Sequence, residues 1–76
     1  MMLSEWLTFE EQPQDARRKT SLWHVYSKRS GYLLGEIRWY GGWRQYVFCP
    51  CPSTIFNRTC LRDLAAFCEA VMECRR

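Results

Sequence analysis

The stretch from Gly35 to Cys49, GEIRWYGGWRQYVFC, constrains the fold of this chain more than any other. Two runs of alternating side chains flank Gly41-Gly42, and glycine tolerates the positive φ that both central positions of a primed two-residue turn require. The flanks, Ile37 to Tyr40 and Trp43 to Phe48, are rich in the aromatic and β-branched residues that suit a pleated surface. A β-hairpin is predicted here. A turn at Gly41-Gly42 sets Tyr40 opposite Trp43, Trp39 opposite Arg44, Ile37 opposite Tyr46 and Gly35 opposite Phe48.

Upstream, residues 20–27 (TSLWHVYS) read as another strand, followed by Lys28-Arg29-Ser30-Gly31. A three-residue loop Arg29-Ser30-Gly31, with Gly31 left-handed, pairs Lys28 with Tyr32, Val25 with Gly35 and Trp23 with Ile37. The two hairpin registers agree about the faces. Trp23, Val25, Leu33, Ile37, Trp39, Tyr46 and Phe48 share one face, the expected core. His24, Tyr26, Leu34, Glu36, Arg38, Tyr40, Trp43, Gln45 and Val47 share the other. A slip of one residue in either hairpin would mix the two sets.

Pro50-Cys51-Pro52 ends the sheet, because proline lacks a ladder donor and restricts the residue before it. Asn57 then offers an N-cap, with Thr59 as a competing cap and with Phe56 and Leu61 placed for a hydrophobic staple. From Arg58 onward, Cys60, Leu61, Leu64, Phe67, Cys68, Val71 and Met72 fall on one helical stripe. Asp63 near the start and Arg75-Arg76 at the end suit the helix dipole. The stripe needs an apolar partner, and the aromatic sheet face supplies it through Trp23, Ile37, Trp39, Tyr46 and Phe48.

The N-terminal part is less regular. In LSEWLTFE (3–10), Leu3, Leu7 and Phe9 alternate with Trp6 and Thr8, which fits a short strand or an extended segment. Residues 11–19 (EQPQDARRK) are polar, contain Pro13 and read as a loop. The run Arg17-Arg18-Lys19 is the densest basic cluster, explained first as a solvated loop and second as a phosphate contact. The fold class is therefore α+β: an antiparallel meander of three strands, or four if the N-terminal segment joins, with one C-terminal helix on one face. The whole chain, 1–76, reads as a single domain: 1–19 an N-terminal segment and loop, 20–49 the meander, 57–74 the helix.

At 76 residues the core is small, and twelve aromatics (four each of Trp, Tyr and Phe) must do much to build it. The net charge of +3 comes from nine Arg and two Lys against eight acids, an ordinary solubilising balance that also permits an acidic partner. No apolar run approaches the roughly 18 residues of a membrane span. The acidic N-terminus, MMLSEWLTFEE, lacks the basic start and apolar centre of a signal peptide. A cytoplasmic location follows as an expectation, and with it five reduced cysteines, an odd number that does not suit a disulfide framework.

Cys49, Cys51, Cys60, Cys68, Cys74 and His24 could supply zinc ligands, but they are not arranged as two knuckles with two to four residues between cysteines. Cys60 and Cys68 lie in the helix stripe, where a thiol acts as a small hydrophobe. No metal or cofactor is expected; a zinc-stabilised structural module is the third reading of the chain. His24 lies on the face away from Cys60 and Cys68, and the carboxylates form no pair. No phosphate loop or nucleophile elbow is present. A domain this small also leaves little room for a substrate pocket of several hundred Å³. No enzymatic activity and no catalytic residue are expected. The sequon Asn57-Arg58-Thr59 is better explained by the helix cap.

The outer face is the candidate site. Tyr26, Arg38, Tyr40, Trp43 and Gln45 form an aromatic surface with an arginine, the composition of a protein–protein hot spot. The partner would be another protein or a second copy of this chain. The same surface could stack bases, which makes a nucleic-acid-binding module the alternative. The plainer reading is that the N-terminal segment covers part of this face through Leu3, Trp6, Leu7 or Phe9, or that Arg38 and Glu36 simply solvate it.

The pattern Gly-x-Ile-x-Trp-x-x-x-Trp-Arg-x-Tyr-x-Phe, here Gly35, Ile37, Trp39, Trp43, Arg44, Tyr46 and Phe48, is followed by a proline-containing turn and TIFNRTCLRDLAAFCE. From Trp23 to Glu69 the chain thereby resembles a group of short, functionally uncharacterised bacterial and phage-encoded proteins. The resemblance implies a fold and no activity. Cys49 and Cys51 are not part of the pattern. A phage or prophage setting would favour a small accessory protein that binds a host macromolecule.

Overall fold

The computed structural model describes residues 4–14 and 19–75, with the side chain of Arg75 left out. Leu3, Arg17, Arg18 and Arg76, each given a role above, lie outside the described residues. Four strands, β1 (Leu7–Glu11), β2 (Leu22–Ser27), β3 (Leu33–Tyr40) and β4 (Gln45–Pro50), form one antiparallel sheet in the order β1-β2-β3-β4. The helix α1 (Arg58–Arg75) closes the described chain. The α+β meander is thus present in its four-stranded form.

The N-terminal segment joins the sheet as an edge strand beside β2. β1 pairs Phe9 with Val25 and Glu11 with Trp23, so Leu7 and Phe9 share a face with the residues that β2 buries. Leu7 is fully buried, and Phe9 stacks flat on Phe67 of α1 at 4.1 Å between ring centroids. Trp6 also packs against the core, with the Arg29 guanidinium 4.2 Å over its ring. The described N-terminal residues therefore do not cover the outer face as the plainer reading had it. A short bracket fastens them: Ser4 Oγ donates to the Asp63 carboxylate at 2.6 Å and accepts from the Trp6 and Leu7 amides.

The hairpin from β3 to β4 departs from the expected turn. Tyr40 pairs with Gln45, Trp39 with Tyr46 and Ile37 with Phe48, two residues further along than a Gly41-Gly42 turn allows. The loop contains four residues, Gly41 to Arg44, held by Trp43 N–H to Tyr40 C=O and Arg44 N–H to Gly41 C=O, each 3.3 Å. The residue with positive φ is Arg44 (+53°), and neither loop glycine is left-handed. The shift is even, so the side chains of Glu36 to Tyr40 and Gln45 to Phe48 stay on the faces assigned to them. Trp39 still points to the core beside Tyr46, with ring centroids 5.4 Å apart. Trp43 and Arg44 leave the sheet for the loop.

The first hairpin holds a second correction. Ser27 and Tyr32 close a four-residue connection, Lys28 to Gly31, with Gly31 left-handed at +77° as expected. The longer loop pairs Tyr26 with Leu33, while Val25 still pairs with Gly35. Leu34 is the extra residue of a β-bulge, and its carbonyl turns to accept from the Cys51 amide at 2.8 Å. Leu33 and Leu34 consequently exchange roles: Leu33 is 41% exposed, whereas Leu34 packs on the core.

Asn57 caps α1 as its sequence position predicts, with Oδ1 accepting from the Cys60 amide at 2.8 Å. Cys60, Leu64 and Val71 are buried with Val25, Ile37 and Tyr46, and Phe67, Cys68 and Met72 pack around them. Burial raises the pKa of the Cys68 thiol, with Glu69 adding a smaller contribution, so at neutral pH it packs as a neutral group. The staple does not form as drawn. Leu61 is 54% exposed, while Phe56 turns to meet Phe48 edge-on at 5.3 Å. Asn57→Ala is expected to cost about 1 kcal/mol, read as a lower melting temperature with the fold unchanged. Loss of less than a few tenths of that would mean the cap is dispensable.

Candidate binding face

The helix packs on one side of the sheet, β1 extends the sheet at its edge beside β2, and no described element covers the other side. The strand register orders it into rows. Thr8, Tyr26 and Leu33 form the row nearest the first hairpin tip. Glu10, His24, Glu36 and Cys49 form the second, Leu22, Arg38 and Val47 the third, and Tyr40 with Gln45 the last, beside the second hairpin tip.

All four of the candidate residues that lie on strands occupy this face, and the fifth, Trp43, sits in the loop at its end. The structure gathers four of the five. Trp43 is 68% exposed and Tyr40 46% exposed, and their rings meet edge to face at 5.2 Å. That pairing is a favoured aromatic geometry, so the two rings present one preformed surface. Gln45 lies opposite Tyr40, and Arg38 lies two residues before it on the same strand. The Arg38 pKa is raised, chiefly by a hydrogen bond with the Cys49 sulfur and by that group's charge, and less by Glu36, whose carboxylate is 3.7 Å from Nε.

Tyr26 stands apart. It pairs with Thr8 and Leu33, four residues along β2 from the Leu22 that faces Arg38, about 13 Å away at the strand rise. Between the two ends runs the row with Glu10, His24 and Glu36. Tyr26 belongs instead with His24, whose Nδ1 lies 3.4 Å from the Tyr26 hydroxyl. Cys49 shares that row, but two strand spacings, about 10 Å, separate its backbone from that of His24, too far for direct proton transfer between the side chains. Among the described residues no group of three or more His, Cys, Asp or Glu is arranged to hold a metal ion. All five cysteines are free thiols.

A second feature escaped the sequence. A hollow of about 720 Å³ lies between the first hairpin tip and the 51–57 connection, with Trp6, Tyr32, Leu34, Ile55, Phe56 and Cys60 among its walls. A domain of this size does therefore leave a cavity of several hundred Å³. Its lining contributes hydroxyls from Ser27, Ser30, Ser53 and Thr54 and no carboxylate, imidazole, amine or guanidinium. The two thiols and one phenol in its wall lack the paired acid and base that proton transfer uses. The signal that could have indicated it is Tyr32-Leu33-Leu34, an apolar run directly after a glycine turn, whose alternation the bulge conceals.

No helix of the described residues is long and apolar enough to cross a membrane. No family model, no curated protein and no solved structure matches this chain.

Proposed function

We propose that this chain is a small, non-enzymatic protein-interaction module that engages its partner with the corner of the outer face formed by Arg38, Tyr40, Trp43 and Gln45. The observation that carries the proposal is the edge-to-face pair of Tyr40 and Trp43, both exposed, at the end of the sheet face that lies opposite the helix. Two rigid rings beside an arginine bury a large area at little conformational cost, which is why such residues dominate binding hot spots. Tyr26 is assigned to the rim. The resemblance to phage-encoded proteins suggests a host macromolecule as the target, and a cytoplasmic setting accords with the free thiols.

Nucleic acid is the weaker alternative on this face. Glu10 and Glu36 flank His24 across its centre, and Glu36 engages the face's arginine. A phosphate chain crossing that row would meet carboxylates where it needs cations. Capture from lysate of the native host, with mass spectrometry, tests the proposal when wild type and Trp43→Ala are run together. The variant should lose the captured protein while its melting temperature stays within about 3 °C of wild type, as for a surface change within ±0.5 kcal/mol. Equal capture by both proteins would reject the assignment of this corner. Salt-sensitive retention of single-stranded DNA or RNA, abolished in Trp43→Ala, would replace it with the alternative.

A further inference from the structure

A smaller cavity of about 250 Å³, which shares Leu33, Cys51 and Pro52 with the hollow, opens beside the end of β4, with Glu36, Cys49 and Cys51 in its walls. The backbone fixes both cysteines. Cys49 is paired with Glu36 in the sheet. Cys51 donates its amide to the Leu34 carbonyl at 2.8 Å and accepts the Thr54 hydroxyl on its own carbonyl at 2.8 Å. Pro50 stands between them with a fixed φ. β4 ends at Pro50, and Cys49 inside the strand and Cys51 just beyond it both reach the wall of this one cavity. Both residues are half-buried, and neither is in a disulfide. Arg38 lies diagonal to Cys49 across the β3–β4 pair, on the outer face, and its guanidinium hydrogen-bonds with the Cys49 sulfur.

We propose that Cys49 and Cys51 form a two-thiolate site for a soft monovalent metal ion, copper(I) being the physiological example. Thiolate sulfur selects copper(I), which is satisfied by two ligands in near-linear array and so needs none beyond this pair. Zinc prefers four ligands, and among the described residues no such set is assembled. Binding breaks two S–H bonds, forms two Cu–S bonds and releases two protons to solvent, with no change of oxidation state. The resulting bis-thiolate complex carries one negative charge, which Arg38 offsets. Pro50 and the two backbone hydrogen bonds at Cys51 limit the rearrangement needed before the metal arrives. This site does not depend on the interaction surface.

The test is an anaerobic titration of the reduced full chain with copper(I) against a chromogenic copper(I) chelator. Wild type and Cys74→Ser should each retain one equivalent. Cys49→Ser and Cys51→Ser should each lose it, and Arg38→Gln should hold it more weakly. Because a serine at a half-buried position could disturb folding, the wild-type chain supplies an independent readout. One equivalent of copper(I) should protect Cys49 and Cys51 together from iodoacetamide, as mapped by mass spectrometry. Unchanged retention in both serine variants, or protection of other cysteines with Cys49 and Cys51 still alkylated, would overturn the proposal.

Discussion

Gly35→Ala should lower the stability of this protein by about 3 kcal/mol, the largest loss expected from adding a single methyl group. Gly35 lies next to the bulge, opposite Val25 on one side and Pro50 on the other. The Phe48 ring occupies the space a side chain would fill. A Cβ here would stand 2.8 Å from two Phe48 ring atoms and would collide with the carbonyl oxygen of Cys49. The ring can tilt, but the carbonyl is fixed in the β3–β4 pairing and can yield only if the strands part. A fall in melting temperature on the order of 10–20 °C is the expected result. Gly31→Ala is the natural comparison. A Cβ at Gly31 meets nothing within 4 Å, so only the left-handed backbone opposes it, at a cost of about 1–2 kcal/mol. Equal losses at the two glycines would show that the close approach at Gly35 does not restrict the sheet.

Phe67→Ala should cost about 3 kcal/mol, which is a third or more of the total stability expected for most domains of this size. Phe67 is the side chain through which α1 holds the N-terminal half of the sheet. It stacks on Phe9 of β1, with planes 4° apart, and meets Trp23 of β2 edge-on at 5.3 Å. Trp23 in turn contacts Tyr46 of β4 at 5.9 Å, so one ring cluster joins three strands to the helix. Its truncation leaves a cavity that neither strand can close without breaking the cluster. Leu61→Ala, on the exposed side of the same helix, should stay within about 0.5 kcal/mol of wild type. Thermal denaturation of the two variants in parallel checks both, and a costly Leu61 change would mean that the helix presents a different face to the sheet.

The contrast between those helix positions shows which features were legible in the sequence. The 3.6-residue period of Cys60, Leu64, Phe67 and Val71 marked the buried stripe, but Leu61 at its border could equally have been covered or left open. The strand faces were readable because parity survives an even shift. Gly41-Gly42 suggested a two-residue turn, yet the chain uses four residues and places Arg44 in the left-handed position, and the faces still hold. Leu33 and Leu34 were misassigned for the opposite reason. One additional loop residue is an odd change, and the sheet absorbs it as a bulge that no local propensity announces. β1 was visible only as weak alternation, since its packing against Phe67 is a contact between residues far apart in sequence.

For the site, composition was informative and distance was not. Arg38, Tyr40, Trp43 and Gln45 do come together, whereas Tyr26 shares their face but lies beyond the row that holds Glu10, His24 and Glu36. That row depends on a fourth strand bringing Glu10 beside His24, and it weighs against a polyanionic ligand more than any feature of net charge. The apolar hollow at the other end is built from a hairpin tip and a connecting loop, the two kinds of structure that sequence periodicity describes least well.

The most direct measurement is amide chemical-shift mapping of the isotopically labelled chain on addition of its captured partner. The interaction module described here predicts perturbations concentrated at residues 38–45, with α1 nearly silent. Perturbations gathered instead at Tyr32, Leu33 and Ile55 around the hollow, with Arg38, Tyr40, Trp43 and Gln45 unmoved, would contradict it.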